Sequence, residues 1–323
     1  MKCLPLLPVL FVAGLTSAPA RGALDQAAYV NLAASVLRVE APRQRGGYAL
    51  GSAVALAPDK VMTNCHVTRD ALEVHILRGG LRWPARSQAS DLSRDLCLLD
   101  VPGLDAQPVA LGSAATLAIG QQVTALGYTG GLGIQNSTGE VVQLHRHDGG
   151  QVIQSTNWFS SGASGGGLFD DEGQLVGILT FRLRGGESHY FAAPVEWVRQ
   201  MLAETARGTF RKVMPLDSQQ LPYWQASASS QPRFLQAAVL VRNDRWRELE
   251  ALASEWSRTE PDDAEPWYLL GTALDKLGRQ HEARLALECS AHLEPTRADV
   301  RQLLADVTSR TAPPASPPCT DRP

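Results

Sequence analysis

Between residues 34 and 192, apolar positions come in short runs separated by Gly, Pro, Asp and Ser. The clearest runs cover residues 35–39, 50–56, 74–77, 122–126 and 175–180. Regularly spaced short strands with turn signals predict an all-β barrel or sandwich. Asp148-Gly149-Gly150 and Asp170-Asp171-Glu172-Gly173 read as hairpin turns. After Pro194 the period changes. Val195, Val198, Met201 and Leu202 share one helical face, as a helix closing the β region requires.

Residues 208–231 carry Pro215, Pro222 and the run Ala226-Ser227-Ala228-Ser229-Ser230, which reads as a linker. From 232 to 310 the pattern is helical and repeats. Glu294-Pro295 echoes Glu260-Pro261 at an offset of 34 residues (261 to 295), the length of a tetratricopeptide repeat. Trp267, Leu270, Gly271 and Leu274 mark one helix, Gly278 a turn, and Ala283 and Leu287 a second helix. The small Gly271 and Ala283 imply that these helices cross closely. Val300, Leu303, Leu304 and Val307 form an apolar stripe suited to a capping helix. Residues 311–323 contain five prolines and read as a disordered tail.

The first residues change the picture of where this protein works. Lys2 precedes a nearly unbroken apolar run to Leu15, and small residues follow at Ser17-Ala18-Pro19-Ala20 and at Ala23. Residues 1–23 are therefore expected to be a signal peptide, leaving a periplasmic or secreted protein without a membrane span. With 323 residues, 44% hydrophobic and 20% charged, the chain has the composition of a soluble globular protein of about two domains. The net charge of -3 offers no footprint for nucleic acid. Removing Cys3 leaves Cys65, Cys97, Cys289 and Cys319, an even set with three possible pairings. No CxxC occurs to suggest zinc.

Three segments carry chemistry together. They are Val61-Met62-Thr63-Asn64-Cys65-His66-Val67, Asp95-Leu96-Cys97-Leu98-Leu99 and Gly162-Ala163-Ser164-Gly165-Gly166. Peptide hydrolysis needs a nucleophile stronger than a free hydroxyl, and a Ser–His hydrogen bond supplies one. A buried Asp then holds the imidazole in the right tautomer and stabilises the imidazolium. Glycine beside the nucleophile lets backbone N–H groups converge on the developing oxyanion. The expected triad is His66, Asp95 and Ser164, with the N–H groups of Gly162 and Ser164 as the oxyanion hole. The chain order His, Asp, Ser is the chymotrypsin-type order, not that of α/β-hydrolases.

On these motifs the first 200 or so residues resemble bacterial trypsin-like proteases of the HtrA/Deg-like group. Gly51-Ser52-Ala53-Val54, Gly173-Gln174-Leu175-Val176-Gly177-Ile178 and Phe191-Ala192-Ala193-Pro194-Val195 extend the resemblance. It implies a protease domain over 24–207, built as two six-stranded antiparallel barrels with the triad in the cleft between them. It also implies a substrate cleft shaped by Trp158, Phe159, Thr180, Phe181 and Arg182. Trp158 stands where trypsins proper carry an acid, so cleavage after Lys or Arg is not implied. Ala163 and Gly167 depart from residues common in the group, and no PDZ-like segment follows.

Rivals surround the triad. Asp91 and Asp100 bracket Asp95, but only Asp95 opens the apolar strand pattern aligned with that group. Ser160 and Ser161 lack glycines at the required offsets. His145 and His147 form an HxH beside Asp148, which without a second ligand cluster reads as a solvated face. The expected function is endopeptidase action on protein or peptide substrates with no metal or cofactor. The repeats of 232–310 would bind a protein partner and take no part in the chemical step. The alternative is a catalytically silent scaffold whose repeats do the binding. Cys65 and Cys97 flank the His and Asp that a triad brings into contact, so they are expected to form a disulfide. Cys289 and Cys319 are then left over.

Overall fold

The computed structural model describes residue 24 and residues 26–44, 46–130, 133–183, 190–206, 208–217 and 219–310. The expected signal peptide, the Pro-rich tail and Cys319 lie outside the described residues. No described helix is long and apolar enough to cross a membrane.

A helix, α1 (Gln26–Ser35), leads into β1 (Val36–Pro42), β2 (Tyr48–Ala57) and β3 (Lys60–Asn64). The one-turn α2 (Cys65–Thr68) follows, then β4 (His75–Arg78), β5 (Leu81–Pro84), β6 (Ser87–Asp91) and β7 (Leu96–Asp100). A second set comprises β8 (Gln122–Thr129), β9 (Gly133–His147), β10 (Gly150–Ser155), β11 (Gly167–Phe169), β12 (Leu175–Arg182) and β13 (Tyr190–Pro194). Beyond it lie α3 (Val195–Thr205), the two-residue β14 (Arg211–Lys212) and five helices. These are α4 (Arg233–Arg242), α5 (Trp246–Thr259), α6 (Ala264–Lys276), α7 (Gln280–Leu293) and α8 (Ala298–Thr308).

The second set closes into a six-stranded antiparallel barrel in the order β10-β13-β12-β11-β8-β9. The first set is an eight-stranded sheet in the order β14-β6-β7-β3-β2-β1-β4-β5. It departs from the expected closed six-stranded barrel: β1–β7 already supply seven strands, and β14, from the segment read as a linker, adds an eighth at β6.

The apolar runs are nearly continuous because both faces of these strands are covered. In β1, β3 and β7, Leu37, Val61 and Leu99 point into the first core, while their neighbours Val36, Met62 and Leu98 join a second. That second core is shared with Leu126, Phe169, Ile178 and Phe191 of the closed barrel and with Trp197 of α3. The other face of the closed barrel fills its own interior with Val123, Ile153, Leu168 and Leu179. The eight-stranded sheet and the closed barrel thus meet along one apolar seam.

The helices repeat in three dimensions as in sequence. α5 and α7 share bounds offset by 34 residues (246 to 280), and the caps Arg245 and Arg279 have closely similar φ, −84° and −88°. A Cβ on Gly271 would lie 2.6 Å from Leu287, so the α6–α7 crossing excludes any larger residue there.

This helical region docks on the closed barrel. Phe234 and Leu235 of α4 and Trp256 of α5 join the seam core beside Phe191 and Trp197. His145 of β9 stacks on Phe234, with ring centroids 4.3 Å apart, and its Nδ1 lies 2.7 Å from Oε1 of Glu265 on α6. The solvated-face reading of the HxH is therefore corrected. His145 is only 4% exposed, because helices cover the outer face of β9. His147 packs against Tyr223, 4.9 Å away.

The segment expected as a linker is likewise held down. Arg69 donates to the carbonyls of Asp217 and Gln220, and the Tyr223 N–H donates to the Ser93 carbonyl at 3.0 Å. Its Ser and Pro content signals irregular backbone, which says nothing about whether that backbone is bound.

Candidate active site

His66 sits on α2, at the end of the strand pattern that carries it to the seam. Asp95 lies on the turn between β6 and β7 with φ of +61°, a left-handed conformation that aspartate enters more readily than most residues. The two meet side on. Asp95 Oδ2 is 2.6 Å from His66 Nδ1, and Asp95 Oδ1 accepts the His66 backbone N–H at 2.8 Å. Two bonds to one carboxylate fix both the ring and the helix that bears it. Asp95 is fully buried, while the His66 side chain is 25% exposed and faces the cleft.

The rival carboxylates are engaged elsewhere. Asp100 pairs with Lys60 at 2.9 Å and with Arg86 at 2.6 Å. Burial acts to raise its pKa, but the hydrogen bonds from Lys60 and Arg86 together outweigh it and hold the carboxyl below its usual range. Asp91 accepts from Ser93 at 2.7 Å and from the Arg94 backbone.

Ser164 is half-buried in the loop before β11, and its hydroxyl donates to the Thr180 carbonyl at a long 3.4 Å. No His66–Ser164 hydrogen bond is formed, yet both residues line one cleft of about 230 Å³ with Phe159, Ser160, Ser161, Thr180, Phe181, Arg182 and Trp224. Gly162 takes φ of +100° and Gly165 φ of +87°. At Gly165 a side chain would collide with the Ser52 carbonyl, so the loop needs glycine there. Among the described residues, neither the Gly162 nor the Ser164 N–H donates to a protein acceptor. The intervening Ala163 N–H is bonded to the Ser160 carbonyl, which leaves the N–H groups of Gly162 and Ser164 available at this loop.

Trp158 is not brought to the cleft. It is 54% exposed, whereas Phe159 turns inward and packs on Tyr190 at 5.2 Å. Consecutive side chains on an extended segment point opposite ways, and here the apolar interior took Phe159. Beyond Leu179, which bonds to Gly165 and Gly166, β12 pairs among the described residues with β13 alone, leaving its edge from Thr180 to Arg182 toward the cleft.

Three further residues shape the site. Ser52 donates its N–H to the Ser164 carbonyl and its hydroxyl to the Gly162 carbonyl, each at 2.8 Å. Asn64 donates to the Asp95 carbonyl at 2.9 Å and to Thr180 Oγ1 at 3.3 Å. Trp224 Nε1 donates to Asp95 Oδ2 at 3.2 Å. The available signals were weak: fully buried polar residues in or beside apolar runs, and an aromatic pair, Tyr223-Trp224, in a polar stretch. Cys65 and Cys97, one beside His66 and the other on β7, are bonded to each other in the structure.

Residues 51–178 match the family model described as the trypsin-like peptidase domain. This stretch of the eight-stranded sheet and the closed barrel is similar to a trypsin-like peptidase domain. Among curated proteins, the chain is similar to serine protease HTR4 of Bos taurus, at 30% identity over 45% of this chain and 31% of that one. It is similar to a probable periplasmic serine endoprotease, DegP-like, of Pseudomonas putida, at 32% identity over 48% and 34%. The chain spans about a third of the length of these curated relatives. Among solved structures, a serine endoprotease from Yersinia pestis aligns with a TM-score of 0.51 at 26% identity, covering 56% of this chain and 66% of that one. The Rv3671c protease from M. tuberculosis aligns with a TM-score of 0.53 at 23% identity, over 66% and 97%, a likeness of fold alone. The likeness is to HtrA-type and DegP-like serine proteases, and it attaches to the peptidase domain.

Proposed function

We propose that this protein is a serine-type endopeptidase acting through His66, Asp95 and Ser164. The observation that carries the reading is the pair of buried Asp95 and cleft-facing His66 opening on the same cleft as Ser164, where the Gly162 and Ser164 N–H groups have no acceptor among the described residues. Ser164 Oγ attacks the scissile carbonyl while His66 Nε2 takes its proton, and Asp95 holds the ring and the imidazolium charge in place. The oxyanion forms against the N–H groups of Gly162 and Ser164. Collapse expels the amine, which takes the proton from His66 and leaves an acyl-enzyme on Ser164. Water, deprotonated by His66, then releases the acid. The Ser164 hydroxyl must turn from Thr180 toward His66, and catalytic hydrogen bonds commonly tighten only once substrate binds.

An extended peptide pairs with the open edge of β12 at Phe181 and Arg182. Among the described residues, those lining the cleft include no acid, and Arg182 brings a positive charge to it. The protein works in the periplasm or outside the cell, a reading supported by its N-terminal sequence and its periplasmic relatives. The 34-residue helical repeats, whose pattern resembles tetratricopeptide repeats, hold the barrel with one face and offer the rest to a protein partner.

Labelling with a fluorophosphonate probe tests the reading. Wild-type protein is labelled at Ser164, and Ser164→Ala loses both labelling and proteolysis with its fold intact. His66→Ala falls by about 10⁴-fold. Substantial proteolysis by purified Ser164→Ala sinks the assignment. An unlabelled wild-type protein favours a silent scaffold.

A further inference from the structure

Trp224 belongs to none of the motifs above. It lies on a short 3₁₀ turn (Tyr223–Gln225) in the segment joining α3 to α4. We infer that Trp224 is a positioning residue for the His66–Asp95 pair, an inference that rests on the triad reading just proposed.

The Asp95 carboxylate is fully buried, and its oxygens are shared among three donors. Oδ1 takes the His66 backbone N–H, while Oδ2 takes both His66 Nδ1 and the indole N–H of Trp224. A buried carboxylate is held by the donors the fold provides, because bulk water does not reach it to replace a lost one. The indole therefore fixes which way Oδ2 points, and so where the imidazole sits.

The ring adds a second restraint. Its edge contact with His66 has centroids 5.6 Å apart and planes at 84°, and it stacks flat on Phe181 at 5.0 Å and 5°. The imidazole thus has Asp95 on one edge and Trp224 against it from the side. The turn itself is anchored on the Asp95 loop, through Tyr223 N–H to the Ser93 carbonyl, and on the segment ahead of α4, through Gln231 Nε2 to the Trp224 carbonyl at 3.0 Å. The chain beyond the barrels therefore completes the machinery inside them. Tyr223 beside it has its hydroxyl buried without a hydrogen-bond partner. Burial, with the Asp95 charge adding to it, pushes that phenol up, so it stays neutral next to the carboxylate.

Trp224→Phe tests this in the full chain, since it keeps the stacking ring and removes only the N–H. With a small ester substrate, kcat falls roughly ten-fold while KM stays within about two-fold, the pattern of a lost transition-state alignment. The low-field proton resonance of the His66–Asp95 hydrogen bond moves as its acceptor loses a competing donor, a change that loosened packing alone would not produce. Trp224→Ala, which loses ring and N–H together, falls further. Wild-type kcat and an unmoved resonance in Trp224→Phe overturn the inference. So does a gain in kcat/KM by Trp224→Ala, which would make the indole an obstruction. If the wild-type protein is not labelled by fluorophosphonate, the triad reading fails and takes this inference with it. If it is labelled and Trp224→Phe behaves as wild type, only the role of Trp224 fails.

Discussion

The Ser52 hydroxyl donates to the Gly162 carbonyl at 2.8 Å, across a sequence separation of 110 residues. The same oxygen accepts the Tyr128 N–H at 2.8 Å, and the Ser52 N–H holds the Ser164 carbonyl. One buried serine of the eight-stranded sheet thus clamps both ends of the Gly162–Ser164 loop of the closed barrel.

Ser52→Ala should loosen that clamp. It leaves the Tyr128 N–H and the Gly162 carbonyl without this partner, which costs about 1–3 kcal/mol of stability. If the loop drifts, the proposed oxyanion donors lose alignment, and kcat for an ester falls by about ten-fold or more. Denaturant midpoints and steady-state kinetics measure the two effects separately. An unchanged kcat would show that the loop holds its shape without Ser52.

The bridge between Cys65 and Cys97 closes a separation of 32 residues. In the chain-entropy model a loop of that length stabilises the fold by roughly 3–4 kcal/mol. Replacing both residues by Ala should lower stability by about that amount, with reductant producing the same loss in the wild-type protein. The bridge also ties the His66 segment to the Asp95 segment. Non-reducing peptide mapping of protein from an oxidising compartment provides the direct check. Free alkylation of both thiols there would contradict the bridge.

Asp263 gives stability a pH dependence of definite sign. It caps α6 by accepting the Glu265 N–H at 2.9 Å, while its second oxygen is buried without a hydrogen-bond partner. Burial pushes the carboxyl up to about 6. An unfolded aspartate titrates near 3.9, so the folded state holds this proton more tightly. The stability it contributes is full below about pH 4 and is lost as pH rises through about 6. Asp263→Asn keeps a capping oxygen and removes the charge. It should raise stability by about 1–3 kcal/mol near pH 7.5 and have little effect near pH 4. A gain that is equal at both pH values would assign the effect to something other than this titration.

The candidate site was legible in the sequence to the extent that local backbone demands wrote it. Glycine at 165, where φ is +87° and a side chain would strike Ser52, is a requirement that only one residue type meets. Asp148 at φ +45° and Gly149 at φ +73° make the turn from β9 to β10 for the same kind of reason. The 34-residue offset is readable because each helical pair must bury the same face against its neighbour, as Gly271 does against Leu287. The cleft was legible only in part. Phe159 and Trp158 are adjacent aromatics, and nothing local states which of them turns inward.

By itself, then, the sequence determined the run of short strands, the closing helix, the repeating helices and the order His66, Asp95, Ser164. Each of these is read from local patterns and their order along the chain, set by periodicity, turn geometry or glycine. Tertiary structure alone decided that the 208–231 segment lies bound, that His145 is buried under α4 and α6, and that Ser52, Asn64 and Trp224 hold the site. These depend on partners far away in the chain, 110 residues for Ser52 and Gly162 and 129 for Trp224 and Asp95. A hydrogen bond across such a span leaves no period in either segment. It exists only because the apolar seam brings the eight-stranded sheet, the closed barrel and the chain that leaves them against one another.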